Sequence, residues 1–192
     1  MAGKIDAKLK ELGIELPSPP APVASYVPNV RTGNLVFISG QVPMGPKGLE
    51  YVGIVGKDYT TAEAAQAARL CAINLLAQVK AAVGGDLDKV KRCVKVIGFV
   101  NAVPGYAEHP EVINGASNLF VEVLGEAGRH ARSAVGAGSL PRNVAVEVEA
   151  AQQLGAVFLP LGQQQAEVAV GVEVLRGAAQ GAEGAEGVER VV

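Results

Sequence analysis

Hydrophobic and polar positions along the 192-residue chain repeat in two periods, one typical of helices and one typical of strands. Near the amino end, apolar residues recur on one helical face and predict a short amphipathic helix over Lys4–Leu12. The proline-rich stretch Pro17–Pro22 ends this pattern and predicts a stiff, extended arm. The chain therefore begins with a helix and an arm that precede its main β-rich part.

A pair of strands is predicted next. The segments Tyr26–Arg31 and Leu35–Gln41 favour strands, and the turn residues Thr32-Gly33-Asn34 separate them. Residues 42–59 are rich in glycine and proline, and this composition predicts a long loop. The clearest helical pattern follows. Thr60 or Thr61 can cap its start, apolar residues repeat as far as Val83, and glycines end it.

The second half predicts one more helix between β segments. Cys93–Val103 is apolar on nearly every position, as in a strand buried on both faces, and a helix is predicted over about Tyr106–Glu126. We interpret Arg132–Gly136 and Val144–Ala150 as the two strands of a hairpin. This order of elements predicts an α+β (mixed α/β) fold, with two helices packed on one face of a mixed sheet.

The other face of that sheet is predicted to need a partner. Residues 35–38 and 94–100 are hydrophobic at consecutive positions, so both faces of these strands favour burial. Two helices cover only one face. The pattern therefore predicts a homo-oligomer whose sheets pack together, with clefts between the subunits.

Composition narrows the classes of function. A formal net charge of −2, an aromatic content of 4% and the absence of Trp argue against nucleic acid as a partner. No apolar run approaches the roughly 18 residues of a membrane span, and the amino end lacks the apolar core of a secretory signal. We therefore expect a cytoplasmic protein with no membrane partner. The two cysteines and two histidines lack metal-ligand spacing, and no metal is predicted.

Three regions follow from these patterns. Residues 1–21 hold the helix and the arm, residues 22–153 form the domain, and residues 154–192 are an Ala/Gly/Val/Glu tail. The composition of this tail predicts that it is largely disordered. Its segment AEVAVGVEVL alternates and is a weaker candidate for an added edge strand.

Two charged residues in the predicted hairpin are candidates for chemistry. Arg132 has small neighbours, and a guanidinium suits bidentate binding of a carboxylate; the alternative is a rim residue that reaches solvent or pairs with a Glu. Glu147 lies on the polar face of its strand, where a partly buried carboxylate could move protons to and from water. The alternative for Glu147 is a solvated strand face. In a hairpin the two charges could also satisfy each other as an ion pair.

Three sequence stretches carry a resemblance to a known family. SYVPNVRTGNLVFISGQVP, VINGASNLF and above all HARSAVGAGSLPRNVAVEVEA resemble the Rid family of reactive intermediate deaminases, also called endoribonuclease L-PSP or chorismate-mutase-like domains. The resemblance covers roughly residues 22–153, and the longer leader and loop are similar to a longer branch of the family. It implies a chorismate-mutase-like fold and a homotrimer with three clefts between subunits.

The resemblance also implies an activity. It is the hydrolysis of reactive enamines and imines, such as 2-aminoacrylate and its imino tautomer, to 2-keto acids and ammonia, with no cofactor. Arg132 would anchor the substrate carboxylate and Glu147 would position or activate water. Four further residues would line the cleft: Tyr26, Ser39, Gly40 and Asn114. Two alternatives stay open, a trimeric small-molecule-binding or interaction module without turnover, and an endoribonuclease, against which the acidic pI counts.

Overall fold

The computed structural model describes residues 3–19 and 25–155 of the chain. The predicted disordered tail and its candidate edge strand lie outside the described residues, apart from residues 154 and 155. The elements of the described part are α1 (Lys4–Glu11), β1 (Asn29–Thr32), β2 (Leu35–Gln41), β3 (Met44–Gly45), β4 (Gly48–Leu49), α2 (Thr61–Ala82), β5 (Val90–Asn101), α3 (His109–Leu124), β6 (Ala131–Ala137) and β7 (Val146–Leu154).

Most of these elements lie where the hydrophobic pattern predicts them. Thr60 caps α2, because its hydroxyl accepts a hydrogen bond from the Glu63 amide while the Glu63 carboxylate accepts one from the Thr60 amide. The first strand is shorter than predicted. The region predicted as a loop contains the short β3–β4 ribbon, and the buried amide of Asn74 on α2 holds it by donating to the carbonyls of Val42 and Met44.

The five-stranded sheet has the order β1-β2-β7-β5-β6. All neighbouring strands are antiparallel except β5 and β6, which α3 connects as a parallel pair. The predicted hairpin of β6 and β7 is therefore wrong, because β5 lies between these strands. The turn residues after β6 do reverse the chain, but β7 buries both of its edges by pairing with β5 and β2.

The helices pack on one face of this mixed sheet, and the predicted α+β fold is confirmed. Alternate residues of β5 and β7, including Val96, Val100 and Val148, are fully buried beneath α2 and α3. The two helices approach closely at Gly115, where an added Cβ would lie 1.8 Å from the Ala65 carbonyl oxygen. Within residues 3–19 and 25–155, no helix has the length and apolar character needed to cross a membrane.

No element of residues 3–19 and 25–155 covers the opposite face of the sheet. Large hydrophobic side chains lie exposed on it, among them Phe37 at 49% and Val135 at 44% exposure. We call this surface the open face and define it by Val30, Phe37, Phe99, Val135 and Glu147, which project away from the helices. Its apolar character agrees with the predicted need for a covering partner.

The amino-terminal helix is fastened to the rest of the fold. The Asp88 carboxylate accepts hydrogen bonds from the amides of Lys4 and Ile5 and so caps the start of α1. Lys80 on α2 forms an ion pair with Asp6 at 2.8 Å, and Leu9 is buried in the core. These contacts join α1 to the surface formed by α2 and the segment before β5.

Candidate active site

Arg132 lies on β6 and projects toward the helices. Its neighbour on β5 is Val96, which is fully buried beneath the helices, and paired residues of a sheet project to the same face. The Nη1 group of Arg132 donates to Asn114 Oδ1 at 2.8 Å and to Ser117 Oγ at 3.1 Å. Asn114 and Ser117 are three residues apart on α3, so they share one face of that helix. The structure therefore brings Arg132 and Asn114 together, as parts of one contact.

This arrangement leaves one edge of the guanidinium available. Both Nη1 hydrogens are used, and the Nε–H and Nη2–H groups form no hydrogen bond to any residue that the structure describes. Arg132 also forms no ion pair with an acidic residue of residues 3–19 and 25–155. The predicted alternative of an ion pair with Glu147 is therefore wrong within the chain. A half-buried guanidinium with a free two-donor edge suits a planar carboxylate ligand.

His130 and Ser117 complete a chain of hydrogen bonds behind Arg132. His130 Nδ1 lies 2.7 Å from the Gly128 carbonyl oxygen, and its Nε2 lies 3.1 Å from Ser117 Oγ. Burial lowers the pKa of His130, and the nearby Arg132 charge lowers it further against the opposing effect of the Gly128 carbonyl. Neither residue is identified from the sequence as part of a site, and the structure places the His130 ring half-buried against Phe120. The available signal was the three-residue spacing of Asn114 and Ser117.

Glu147 lies on the open face, where a glycine makes room for it. It pairs with Phe99 of β5, and a Cβ added at Gly40 would lie 2.1 Å from its Oε1 atom. Gly40 sits in a register shift of β2 between Ile38 and Gln41, a β-bulge that brings the backbone toward the carboxylate. Burial raises the pKa of the Glu147 carboxyl above its usual range, and the charge of Glu149 raises it further.

Ser39 precedes Gly40 near the end of β2 and bonds the segment that follows Tyr26. The Ser39 hydroxyl donates to the Val27 carbonyl oxygen at 2.8 Å, and the Ser39 amide donates to the Pro28 carbonyl oxygen. These bonds hold the segment that carries Tyr26, whose side chain is 53% exposed. Gly40 thus lies against Glu147, Ser39 precedes Gly40 on β2, and Tyr26 belongs to the segment that Ser39 holds.

The six predicted site residues therefore fall into two groups, and the structure adds Ser117 to one of them. The guanidinium group consists of Arg132, Asn114 and Ser117, and the carboxylate group consists of the four residues Tyr26, Ser39, Gly40 and Glu147. Arg132 pairs with Val96 and Glu147 pairs with Phe99, three positions further along β5, where no register shift occurs. Three positions on a strand reverse the face, so the two groups project from opposite faces of one sheet.

The two buried cysteines, Cys71 and Cys93, lack the reactivity of catalytic thiols. Burial raises the pKa of the Cys71 thiol well above its usual value and raises that of Cys93 to about 12, although Gln152 donates a hydrogen bond to Cys93 Sγ. Both thiols are unpaired and buried. A thiol at such a pKa is protonated at neutral pH and is a poor nucleophile, so Cys71 and Cys93 serve as core residues.

The chain is a small α+β domain that carries two polar groups on its sheet, and comparisons with known proteins give the family. A model of the family described as "YjgF/chorismate mutase-like, putative endoribonuclease" matches residues 6–153. The chain therefore belongs to the YjgF/chorismate mutase-like family, which includes the Rid and L-PSP proteins, as its motifs predicted. The match begins within α1, earlier than the predicted residue 22.

Three relatives illustrate the range of the similarity. Protein TCP17 of Trypanosoma cruzi is 46% identical over 154 residues, covering 80% of this chain and 96% of that protein. The 2-iminobutanoate/2-iminopropanoate deaminase of Salmonella typhimurium is 34% identical over 131 residues, covering 68% and 88%. The crystal structure of Atu1372 from Agrobacterium tumefaciens, a protein of unknown function, is 52% identical with a TM-score of 0.74, covering 79% and 92%.

Proposed function

We propose that the protein hydrolyses small 2-imino acids, and their enamine tautomers, to 2-keto acids and ammonia. The observation that carries this proposal is the Arg132 guanidinium, which is half-buried, held by Asn114 and Ser117, and not neutralised by a described carboxylate. Such a group favours a ligand that brings its own carboxylate. Relatives named 2-iminobutanoate/2-iminopropanoate deaminase support the same substrate class.

The complete site is proposed to lie between two copies of the chain. Arg132 and Glu147 project from opposite faces of the sheet, so one chain does not present both to one small substrate. The exposed hydrophobic side chains of the open face favour burial against another copy. A cyclic homotrimer, as the family resemblance implies, would bring the guanidinium group of one subunit to the carboxylate group of its neighbour three times.

The proposed reaction begins with binding. The free edge of Arg132 holds the substrate carboxylate and places the adjacent C2 carbon, which the imine already makes electrophilic, near Glu147. Water adds to C2 while Glu147 accepts one of its protons, and the C=N electron pair moves to nitrogen. The C2–N bond then breaks, both water protons finish on nitrogen, and ammonia leaves a keto group behind. These steps need orientation and proton transfer alone.

The environment of Glu147 suits this role. A general base works best when its pKa lies near the working pH, and burial moves the Glu147 carboxyl in that direction. Tyr26, Ser39 and Gly40 would line the substrate beside it. We keep the expectation of a cytoplasmic location, where 2-imino acids arise from amino-acid metabolism.

The proposal is tested by trapping the substrate. A 2-imino acid is generated in situ by an amino-acid oxidase, and its capture by semicarbazide is followed with and without the protein. The protein should suppress capture, and Arg132→Ala should lose at least tenfold of this effect, because a charge-assisted hydrogen-bonded anchor contributes about 1.5–3 kcal/mol. The matched control is Arg129→Ala, which removes a nearby exposed arginine paired with Glu126.

Two results would change the conclusion. If the wild-type protein fails to suppress capture over several side chains but binds 2-keto acids through Arg132, it is a small-molecule-binding module of the same fold. If Arg132→Ala and Arg129→Ala behave alike in an active protein, the guanidinium is not the substrate anchor.

A further inference from the structure

The hydrogen bonds behind Arg132 run in one consistent direction. A carbonyl oxygen only accepts, so the contact with Gly128 requires that His130 Nδ1 carries a hydrogen. In the neutral ring Nε2 is then an acceptor, and it receives the Ser117 hydroxyl hydrogen. The Ser117 oxygen in turn accepts from Arg132 Nη1. Each donor in this series of hydrogen bonds has an acceptor, and the series ends at Arg132, the candidate substrate anchor.

The chain of bonds limits how the guanidinium can turn. One Nη1 hydrogen points to Asn114 Oδ1 and the other to Ser117 Oγ, so the planar group is fixed at two points. A serine hydroxyl can rotate, and His130 removes this freedom by accepting the hydroxyl hydrogen. His130 is itself held by the Gly128 carbonyl and by the edge-on contact with Phe120. The free Nε–Nη2 edge therefore has one orientation.

We propose that Ser117 and His130 are positioning residues, which hold Arg132 so that its Nε–Nη2 edge is preset for a carboxylate. This inference rests on the proposed function, because it assigns Arg132 as the carboxylate anchor. It extends that function to two residues that need not touch the substrate. We expect them to affect ligand binding, because a side chain that is already held in place loses less conformational entropy when the ligand binds.

The charged groups around His130 are consistent with a neutral ring. On β6 it faces Arg132, and in the preceding turn the exposed Arg129 and Glu126 pair with each other. The face of α3 packed against it presents Ser117 and Phe120. A second positive charge on His130 would lie beside the guanidinium and would also replace the acceptor that Ser117 uses.

The test compares four variants in the full-length protein. Ser117→Ala removes the link, Ser117→Thr keeps the hydroxyl, and His130→Phe removes the acceptor while keeping a ring. Ser133→Ala is the matched control, because Ser133 lies next to Arg132 in sequence but bonds Lys95 Nζ on the opposite face. For each variant, KM and kcat for a 2-imino acid and the Kd for 2-oxobutanoate are measured, with thermal unfolding as a check on folding.

Ser117→Ala should raise KM and Kd about tenfold, as expected for one lost hydrogen bond to a charged group, while kcat changes less than threefold. His130→Phe leaves the bond from Arg132 to Ser117 in place and removes only the acceptor of the Ser117 hydroxyl, so it should raise KM and Kd by about fivefold, as expected for one lost neutral hydrogen bond. Ser117→Thr and Ser133→Ala should stay within threefold of wild type. The inference is overturned if Ser117→Ala leaves KM and Kd unchanged, or if Ser133→Ala has the same effect.

A second readout separates this inference from the proposed function. The side-chain Nε–H and Nη–H signals of Arg132, followed by 15N NMR without ligand, report whether the guanidinium is held. Separate, slowly exchanging Nη1 signals should be seen in the wild-type protein and should average in Ser117→Ala. If they are already averaged in the wild type, the positioning inference fails even where deamination is observed. If they are separate but no imino acid is hydrolysed and no keto acid is bound, the proposed function fails alone.

Discussion

Substitution of Gly40 by alanine is expected to displace the Glu147 carboxylate without unfolding the protein. The added Cβ would lie 2.1 Å from Glu147 Oε1 and 3.0 Å from its Cδ atom, whereas nearly all real Cβ contacts exceed 3.0 Å. The carboxylate must therefore move by roughly 1 Å or more. The φ angle of Gly40 is not in the left-handed region, so alanine meets no backbone strain there.

The expected effect on activity is much larger than the effect on stability. Displacement of a reacting group by about 1 Å costs on the order of 100-fold in rate, so Gly40→Ala should lose about this much kcat/KM for 2-imino acids. The clash involves the end of a flexible side chain, which can rotate toward solvent, so the free energy of unfolding should fall by less than about 1 kcal/mol. The semicarbazide assay and urea unfolding measure the two quantities.

The control for this substitution is Gly138→Ala, because no atom lies within 4 Å of a Cβ added at Gly138. It should keep both activity and stability. In the double variant Gly40→Ala/Glu147→Gln, the alanine should cost little beyond the loss caused by Glu147→Gln, since the displaced group is already inactive. If Gly40→Ala is as active as Gly138→Ala, the position of the Glu147 carboxylate does not matter for turnover and the reasoning is refuted.

Three further outcomes are expected. The folded state raises the pKa of Glu147, so ionisation of this carboxyl destabilises the fold as the pH rises through that pKa. Glu147→Gln cannot ionise, and its free energy of unfolding relative to wild type, measured by chemical unfolding, should therefore be higher at pH 8 than at pH 4. An equal difference at both pH values would count against burial as the cause of the raised pKa. Gly115→Ala places a Cβ 1.8 Å from the Ala65 carbonyl oxygen, so α2 and α3 must move apart. Thermal unfolding should then show a free energy of unfolding that is lower by about 1–3 kcal/mol. An unchanged Tm would show that the close approach of the helices is not required. Asp88→Ala removes the acceptor for two amides at the start of α1, so amide hydrogen exchange in α1 should become faster while α2 stays protected. Equal protection of α1 in the wild type and the variant would contradict this anchoring role.

The sequence predicts the local elements well because local signals determine them. Thr60 and the apolar repeat as far as Val83 specify α2, and the alternation in β7 separates its buried valines from Glu147. The sequence does not predict which strands are neighbours in the sheet. Turn residues after β6 indicate a reversal of the chain, but the pairing of β7 with β5 is set by the burial of whole strands, which a hairpin signal does not contain.

The same limit explains what was missed at the site. Alternation shows which residues of one strand share a face, but it does not relate the face of Arg132 on β6 to that of Glu147 on β7. Ser117 and His130 were missed because serine and histidine are ordinary surface residues, and only the packing of α3 against β6 brings them to Arg132. The resemblance to a family supplied the candidate residues, and the fold places them in two groups on opposite faces of the sheet.

Mixed oligomers test most directly whether the site is shared between copies. Arg132→Ala and Glu147→Gln chains are produced together with different tags, and oligomers that carry both tags are isolated and assayed with a 2-imino acid. Each variant alone should be inactive. If Arg132 of one subunit serves the same site as Glu147 of its neighbour, the isolated mixed trimers regain about one third of the wild-type activity, because one of the three interfaces in each mixed ring carries both intact groups. If the mixed oligomers stay as inactive as the single variants, the two groups do not meet between subunits and the proposed site is wrong.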